Sequence, residues 1–178
     1  MSVLCDWQIE YIGPNCISPF NTAQVEPASY DVRLGQNFKI FERDATVAID
    51  MADPEDITKD VHVETGRYFT LHPGEFALGV TYETIKMPDN LVGRIEGKSS
   101  IGRLGLMIHI TAGYIDPGFH GPVTLEMFGV HPLPLLLHPG MLIAQISFHK
   151  MSKVPRQSYR GRYQGAKTVE SSKYGERR

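Results

Sequence analysis

Cysteine is scarce in this chain of 178 residues, which contains only Cys5 and Cys16. Two cysteines are too few for a disulfide framework or a cysteine-rich zinc site, so we expect a reducing compartment and a cytoplasmic protein. The seven histidines show no spacing typical of a metal site. Zinc-dependent nucleobase deaminases have H-x-E followed by P-C-x-x-C, and neither element occurs here. Any hydrolytic chemistry is therefore expected to use carboxylates and water, without zinc.

Long apolar stretches are also missing from the sequence. No stretch approaches the ~18 apolar residues needed to cross a membrane. Prolines interrupt the most apolar one, HPLPLLLHPG at residues 131–140. The first residues, MSVLCDWQIE, lack the basic and apolar regions of a secretion signal. These features predict a protein that is not associated with a membrane.

Positive charge is sparse before residue 150, where nine Lys and Arg accompany eighteen Asp and Glu. The last 29 residues hold nine Lys and Arg and only two Glu. An acidic body does not favour nucleic-acid binding, and the basic tail has no dense Lys/Arg run. Two interpretations of the tail stay open: a solvated terminus, or an arm that folds over an anionic ligand.

Helical periodicity is weak, and only the first ten residues and DNLVGRI at 89–95 offer it. Short apolar or alternating runs that end at Gly, Pro, Asn or Asp indicate strands instead. Three Pro-Gly pairs, at 73–74, 117–118 and 139–140, favour type II turns between strands. The pattern predicts an all-β sandwich or jelly roll over residues 1–151, with few short helices and a mobile tail at 152–178.

The stretch VGRIEGKSS at residues 92–100 superficially resembles a nucleotide-binding loop. A Walker A loop requires four residues between its glycines and a helix after them, whereas Gly93 and Gly97 are separated by three. The following SIGRLGLMIHIT predicts a turn that leads into a strand. The segment still groups cations and hydroxyls suited to phosphate oxygens, and a polar surface turn is the alternative. The residues concerned are Lys98, Ser99, Ser100 and Arg103.

Two acidic residues are candidates for chemistry. Asp116 precedes Pro117-Gly118, where capping of the turn is the ordinary role. Glu126 lies in PVTLEMF, where alternation places it on the face opposite Leu125. A Glu in such a strand either faces solvent or lies in a pocket, where its carboxyl could take and return protons.

Five segments together resemble the dCTP deaminase branch of the dUTPase superfamily: PASYDVRLG, LHPGEFALGVTYETIKMP, GKSSIGRLGLMIHITAGYIDPGFHGPVTLEMF, LHPGMLIAQISF and YRGRYQG. The resemblance runs from about residue 28 to residue 165. It implies a distorted β jelly roll that forms homotrimers with active sites at the subunit boundaries. It also implies dCTP and dUTP as substrates, Mg²⁺ carried on the triphosphate as the cofactor, and dTTP as a candidate inhibitor.

The same resemblance implies roles for individual residues. Phosphate binding and polarisation of the reacting centre would fall to Lys98, Ser99, Ser100 and Arg103, with Ile101 and Gly102 between them. Asp116 would lie near the deoxyribose and pyrimidine, and Glu126 would be the general base and acid on a segment, with Thr124 and Leu125, that faces the base. The pocket would be completed by Thr111, Ala112 and Gln145 and, on an arm formed by residues 152–178, by Tyr159, Arg162 and Gln164 over the phosphates.

The chain departs from the family pattern at two positions. Lys98 stands where Arg is commonest, and Ala166 stands where a Gln usually follows, with Gln164 as a candidate substitute. Gly113 followed by Tyr114 resembles members that deaminate dCTP and also cleave the triphosphate to dUMP. That two-step reaction is the predicted function. A plain dUTPase, in which Asp116 would activate the water, and a non-catalytic nucleotide-sensing trimer are the alternatives.

Overall fold

The computed structural model describes residues 2–42 and 48–174, and β-strands dominate it. Helix α1 covers Asp6–Cys16, a 3₁₀ turn covers Thr22–Gln24, and the short helix α2 covers Ser99–Gly102. Within the described ranges, no helix has the length and apolar character that crossing a membrane requires. The strands are β1 Ile17–Ser18, β2 Val25–Glu26, β3 Ser29–Arg33, β4 Asn37–Phe41, β5 Thr58–His62, β6 Phe69–Leu71, β7 Phe76–Lys86, β8 Leu91–Gly97, β9 Leu106–Met107, β10 Tyr114–Ile115, β11 His120–Gly129, β12 Leu135–Leu137 and β13 Leu142–Lys150.

The strands form two large antiparallel sheets and one small pair. Sheet I has the order β5-β4-β7-β11-β9, with β1 added to β7, and sheet II has the order β10-β8-β13-β3-β2. Strands β12 and β6 pair separately. The prediction of an all-β fold is confirmed. One of the two expected helical stretches was wrong, because residues of DNLVGRI form β8, which pairs with both β10 and β13. Tertiary pairing overrides weak local periodicity there.

The three Pro-Gly pairs form the predicted turns. In each, the residue after Gly donates its N–H to the carbonyl three positions earlier: Glu75 to His72, Phe119 to Asp116 and Met141 to His138. The glycine φ angles of 70°, 82° and 89° are those that the third position of a type II turn requires. Each turn connects strands of different sheets rather than a hairpin. The turns therefore move the chain from one layer to another.

Strand β11 places Glu126 on the outer face of sheet I. Leu125 and Met127 are fully buried in the core, whereas Thr124 and Glu126 are half-buried. This is the alternation that the sequence predicts for the central part of the strand.

The C-terminal arm, which we define as residues 152–174 in the described structure, packs across that outer face. Val169 is only 3% exposed and joins Leu78 and Val80 in a small apolar cluster. Glu170 donates its backbone N–H to the Thr124 hydroxyl (3.5 Å), and Ser171 donates its hydroxyl to the Asp56 carboxylate (2.7 Å). The segment that was predicted to be a mobile tail thus packs against the body in this structure as far as Ser171.

Candidate active site

The cation-rich segment KSSIGR lies at the end of β8, at one side of an open cavity. Ser99–Gly102 form one helical turn, in which Gly102 donates its N–H to the Lys98 carbonyl (2.9 Å). The expected turn is therefore a short helix that leads into β9. The cavity has a volume of about 620 Å³ and brings together five of the predicted residues, Lys98, Ser99, Ser100, Arg103 and Gln145, with four from the 26–29 segment.

Gln145 forms part of the cavity wall and is fixed by its own hydrogen bonds. Its side-chain oxygen accepts from the Ser29 hydroxyl (3.1 Å), and its side-chain nitrogen donates to the Gly97 carbonyl (3.3 Å). In register, Gln145 lies opposite Asp31 on β3 and Glu96 on β8. The predicted supporting role of Gln145 therefore has a structural basis in sheet II.

Lys98 contacts a buried acid that the sequence analysis missed. Its Nζ is bonded to Oδ2 of Asp31, whose side chain is 3% exposed. Asp31 Oδ1 is also buried and has no hydrogen-bond partner in the described structure. The alternation of PASYDVRLG could have placed Asp31 opposite the core residues Tyr30 and Val32. Nothing in the sequence connects it with a lysine 67 residues further along the chain.

A second buried acid, Glu83 on β7, anchors the same strand β3. It is fully buried, and its Oε1 accepts from Arg33 Nε (2.7 Å) and from Gln24 Nε2 (3.2 Å). Its Oε2 accepts the backbone N–H of Arg33 (2.8 Å). Gln24 also donates to the backbone carbonyl of Asp31 (2.6 Å). These bonds satisfy Glu83 and fix the backbone between the Asp31 carbonyl and the Arg33 N–H.

Glu126 is held by backbone amides of the irregular segment between β9 and β10. Its Oε2 accepts the N–H of Ile110 (2.8 Å) and, at longer range, that of Thr111 (3.4 Å). The other end of the segment is tied to sheet II, because Ile95 donates its N–H to the Gly113 carbonyl (2.9 Å). The structure therefore brings Thr111, Thr124 and Glu126 together, with Ala112 exposed beside them.

The arm meets the body at the turn that follows Asp116. Gln164 accepts the N–H of His120 (3.0 Å) and donates to the Gly118 carbonyl (2.9 Å). Tyr159 donates its N–H to the Pro117 carbonyl (2.8 Å), and its ring packs edge-on against Phe119. Asp116 is exposed at this turn, and Arg162 is exposed on the arm. Two of the three predicted arm residues, Tyr159 and Gln164, thus lie at the turn that follows Asp116.

Within one chain, the predicted residues form separate groups. The cavity group lies at the end of sheet II, and Glu126 lies on the outer face of sheet I. Within residues 2–42 and 48–174, no hydrogen bond or ion pair joins Lys98 or Arg103 directly to Glu126. In the same ranges, no three His, Cys, Asp or Glu side chains are grouped so as to hold a metal ion.

Comparison with known proteins identifies relatives along most of the chain. Residues 8–151 match the profile of the dCTP deaminase-like family. A "dCTP deaminase, dUMP-forming" of Beutenbergia cavernae is 46% identical over 90% of this chain and 87% of its own length. The protein of the same name from Acidothermus cellulolyticus is 49% identical, over 84% and 81% respectively.

The crystal structure of 2'-deoxycytidine 5'-triphosphate deaminase from Agrobacterium tumefaciens has the same fold. The TM-score is 0.66 over 84% of this chain, at 22% sequence identity. This chain spans about half the length of that protein, 48%. The similarity confirms that the chain has the fold of a dCTP deaminase, as the sequence resemblance implied.

Proposed function

The chain belongs to the dCTP deaminase-like family, and we propose that it converts dCTP and water to dUTP and ammonia, then dUTP and water to dUMP and pyrophosphate. The name "dUMP-forming", shared by relatives that are 45–49% identical, supports both steps. The observation that supports the first step most directly is the position of Glu126. Its carboxylate is half-buried and oriented by two backbone N–H groups beside Thr124.

Glu126 is proposed as the group that moves the proton during deamination. Water adds to C4 of cytosine while Glu126 takes one of its protons. The protonated carboxyl then returns that proton as the amino nitrogen leaves as ammonia, so Glu126 ends each turnover ionised. The proton that remains on the new C4 hydroxyl moves to N3 and gives the uracil. Both backbone donors bond to Oε2, so we assign contact with the water to Oε1. Neutral donors fix the carboxylate without adding a neighbouring charge.

The cavity at the end of sheet II is proposed as the triphosphate site. Arg103 offers a planar fork and Lys98 a compact charge, and both line the cavity together with the hydroxyls of Ser99 and Ser100. Ser99 and Arg103 are further proposed to stabilise charge that develops at the reacting centre. Mg²⁺ is proposed to arrive on the triphosphate, where it neutralises phosphate charge. The side chains that the 98–103 segment contributes to the cavity include two cations and two hydroxyls, which suit the phosphate oxygens of such a complex, and Glu26 is the acid among the lining residues.

A homotrimer with active sites between subunits is proposed because apolar surface lies exposed on both elements that carry the site residues. Large apolar side chains next to both groups are exposed: Leu104, just after α2, is 62% exposed, and Ile110, which binds Glu126, is 50% exposed. Exposed apolar residues of this kind are typical of protein interfaces. Light scattering coupled to size exclusion tests the assembly, and a monomer at assay concentrations would contradict it.

The second step is proposed to use Asp116, which is exposed at its turn beside Tyr159 and Gln164. Closure of the arm over the phosphates, inhibition by dTTP and a cytoplasmic location remain predictions. The alternative function is a plain dUTPase. The same Asp116 would serve it, whereas a carboxylate fixed at position 126 favours a reaction at C4 of the base.

Product analysis tests the proposal. The purified protein is incubated with dCTP and Mg²⁺, and the products are separated by ion-exchange chromatography. Formation of dUMP and pyrophosphate is expected. Accumulating dUTP would restrict the protein to deamination. If dCTP returned unchanged, the same run with dUTP would decide between a plain dUTPase and a nucleotide-binding protein.

A further inference from the structure

Asp31 is a buried acid for which the proposed reaction has no role. Its exposed fraction is 2%, and only Oδ2 is bonded, to Lys98 Nζ. The other oxygen, Oδ1, is buried without a hydrogen-bond partner in the described structure. A buried carboxylate is costly unless it is paired, so the ammonium of Lys98 is what makes the ionised form tolerable at this position.

The backbone around Asp31 is rigidly held. Its neighbours Tyr30 and Val32 are fully buried in the core, and Asp31 points to the opposite face of β3. The backbone carbonyl of Asp31 accepts from Gln24, and the fully buried Glu83 fixes both Gln24 and Arg33. Because the backbone is fixed, the position of the Asp31 carboxylate depends only on the rotamer of its side chain.

Lys98 connects that fixed point with the cavity. Its side chain is 21% exposed, and it lines the cavity together with Ser99, Ser100 and Arg103. An ammonium has three N–H donors, and with one directed at Asp31 the other two are available to ligand oxygens. A lysine that is already held in one conformation loses less rotamer entropy when a ligand binds.

We propose that Asp31 is a positioning residue that holds the Lys98 ammonium at the wall of the cavity before an anionic phosphate ligand arrives. The inference rests on the proposed function in so far as the ligand is a nucleoside triphosphate. A solely structural ion pair would stabilise the fold without affecting phosphate binding.

Binding measurements on single and double variants test the proposal. For Asp31→Asn, we expect about tenfold weaker binding of dCTP and of inorganic tripolyphosphate, with the affinity for deoxycytidine unchanged. Lys98→Met should weaken the binding of the same two ligands. The double variant with Asp31→Asn should show no further loss of affinity, because the acid acts through the lysine. Additive losses, or an equal loss for deoxycytidine, would overturn the proposal. Asp60→Asn is the matched control, since Asp60 forms a comparable pair with Lys39 at an exposed position.

Chemical labelling gives a readout that does not depend on nucleotide turnover. The proteins are treated briefly with acetic anhydride, and acetylation of Lys98 and Lys39 is quantified by mass spectrometry. Reactivity of Lys98 should rise several-fold in Asp31→Asn and stay unchanged in Asp60→Asn, because without the Asp31 carboxylate the amine is no longer held against the wall of the cavity. Unchanged reactivity of Lys98 would overturn the proposal. If Asp31→Asn does not fold, Asp31→Glu replaces it, since the longer side chain displaces the carboxylate by one methylene.

The two experiments separate the inference from the proposed function. A wild-type protein that does not bind dCTP would refute the function, while tripolyphosphate binding and Lys98 labelling would still decide whether Asp31 positions the cation. A protein that deaminates dCTP but shows additive losses would retain the function and refute the inference.

Discussion

The two halves of the candidate site hold their charges by different means. Glu126 is oriented by backbone N–H groups of an irregular segment, whereas Lys98 is paired with a carboxylate buried in sheet II. Backbone N–H groups orient the Glu126 carboxylate without placing a second formal charge beside it, which is compatible with the proton transfer proposed for this residue. A cation that only binds phosphate is compatible with a permanent counter-ion. In the proposed mechanism, proton transfer and anion binding therefore use separate elements of the fold, β11 for Glu126 and the segment after β8 for Lys98.

The largest expected effect comes from the Glu126 half. Glu126→Gln keeps the shape of the side chain and removes the group that exchanges protons, so ammonia release from dCTP should fall about 10³-fold. Binding of dCTP, measured by calorimetry, should remain. Glu64→Gln, at an exposed position remote from the site in the sequence, is the matched control. Normal ammonia release by the Glu126 variant would remove this residue from the mechanism.

Removal of the buried charge at Glu83 should affect stability rather than chemistry. Glu83→Ala leaves the Arg33 guanidinium and Gln24 without their partner, and breaking a buried pair costs about 3–5 kcal/mol. Urea denaturation should show that loss in the free energy of unfolding. Glu126→Gln should change it little, because Glu126 is only half-buried. Equal destabilisation by the two variants would remove the distinction between a structural and a catalytic acid.

Arg103→Ala should weaken the binding of the triphosphate in the cavity and leave the Glu126 part of the site unchanged. Loss of charge-assisted hydrogen bonds to the triphosphate should lower kcat/KM for dCTP by about 10- to 100-fold. Arg103→Lys keeps the charge and loses the planar fork, so its kcat/KM for dCTP should lie between those of Arg103→Ala and the wild type. Weakened binding of deoxycytidine, which has no phosphates, would show that Arg103 acts elsewhere.

The smallest expected effect concerns the attachment of the arm beside Glu126. Burial acts to raise the pKa of Asp56, but hydrogen bonds from Thr58 and Ser171 lower that pKa below its ordinary value. Of these hydrogen bonds only the one from Ser171 depends on the arm, so through that bond the carboxylate contributes to docking above its unfolded pKa of about 3.9. That contribution is lost as the pH falls through the depressed pKa.

Methyl resonances of Val169 should therefore report a partial release of the arm below about pH 4. In Asp56→Asn, the release should lose its pH dependence. A transition that is unchanged in this variant would assign the release to another group.

Local pattern was sufficient to predict much of this fold. The Pro-Gly pairs and the alternation around Leu125 depend on residues adjacent in the chain, and both predictions are confirmed. The segment DNLVGRI was ambiguous, because the spacing of its apolar residues fits both a helix and a strand. Pairing with β10 and β13 is what makes it a strand. Asp31 and Glu83 were missed for a related reason. The partners of their side chains lie 50 or more residues away, so no spacing in the sequence reveals them.

The position of β13 within sheet II has a consequence for synthesis on the ribosome. It is the last long strand of the chain, and it lies between β8 and β3, the strands that carry Lys98 and Asp31. Until residue 150 has left the ribosome, β8 and β3 each have an unpaired edge at the place that β13 will occupy. The chain segments that connect them cannot yet be closed into the final loops. A nascent chain therefore cannot complete sheet II before β13 is available, and we expect folding to be slow and late. A chain truncated before β13 should associate with other chains through those unpaired edges.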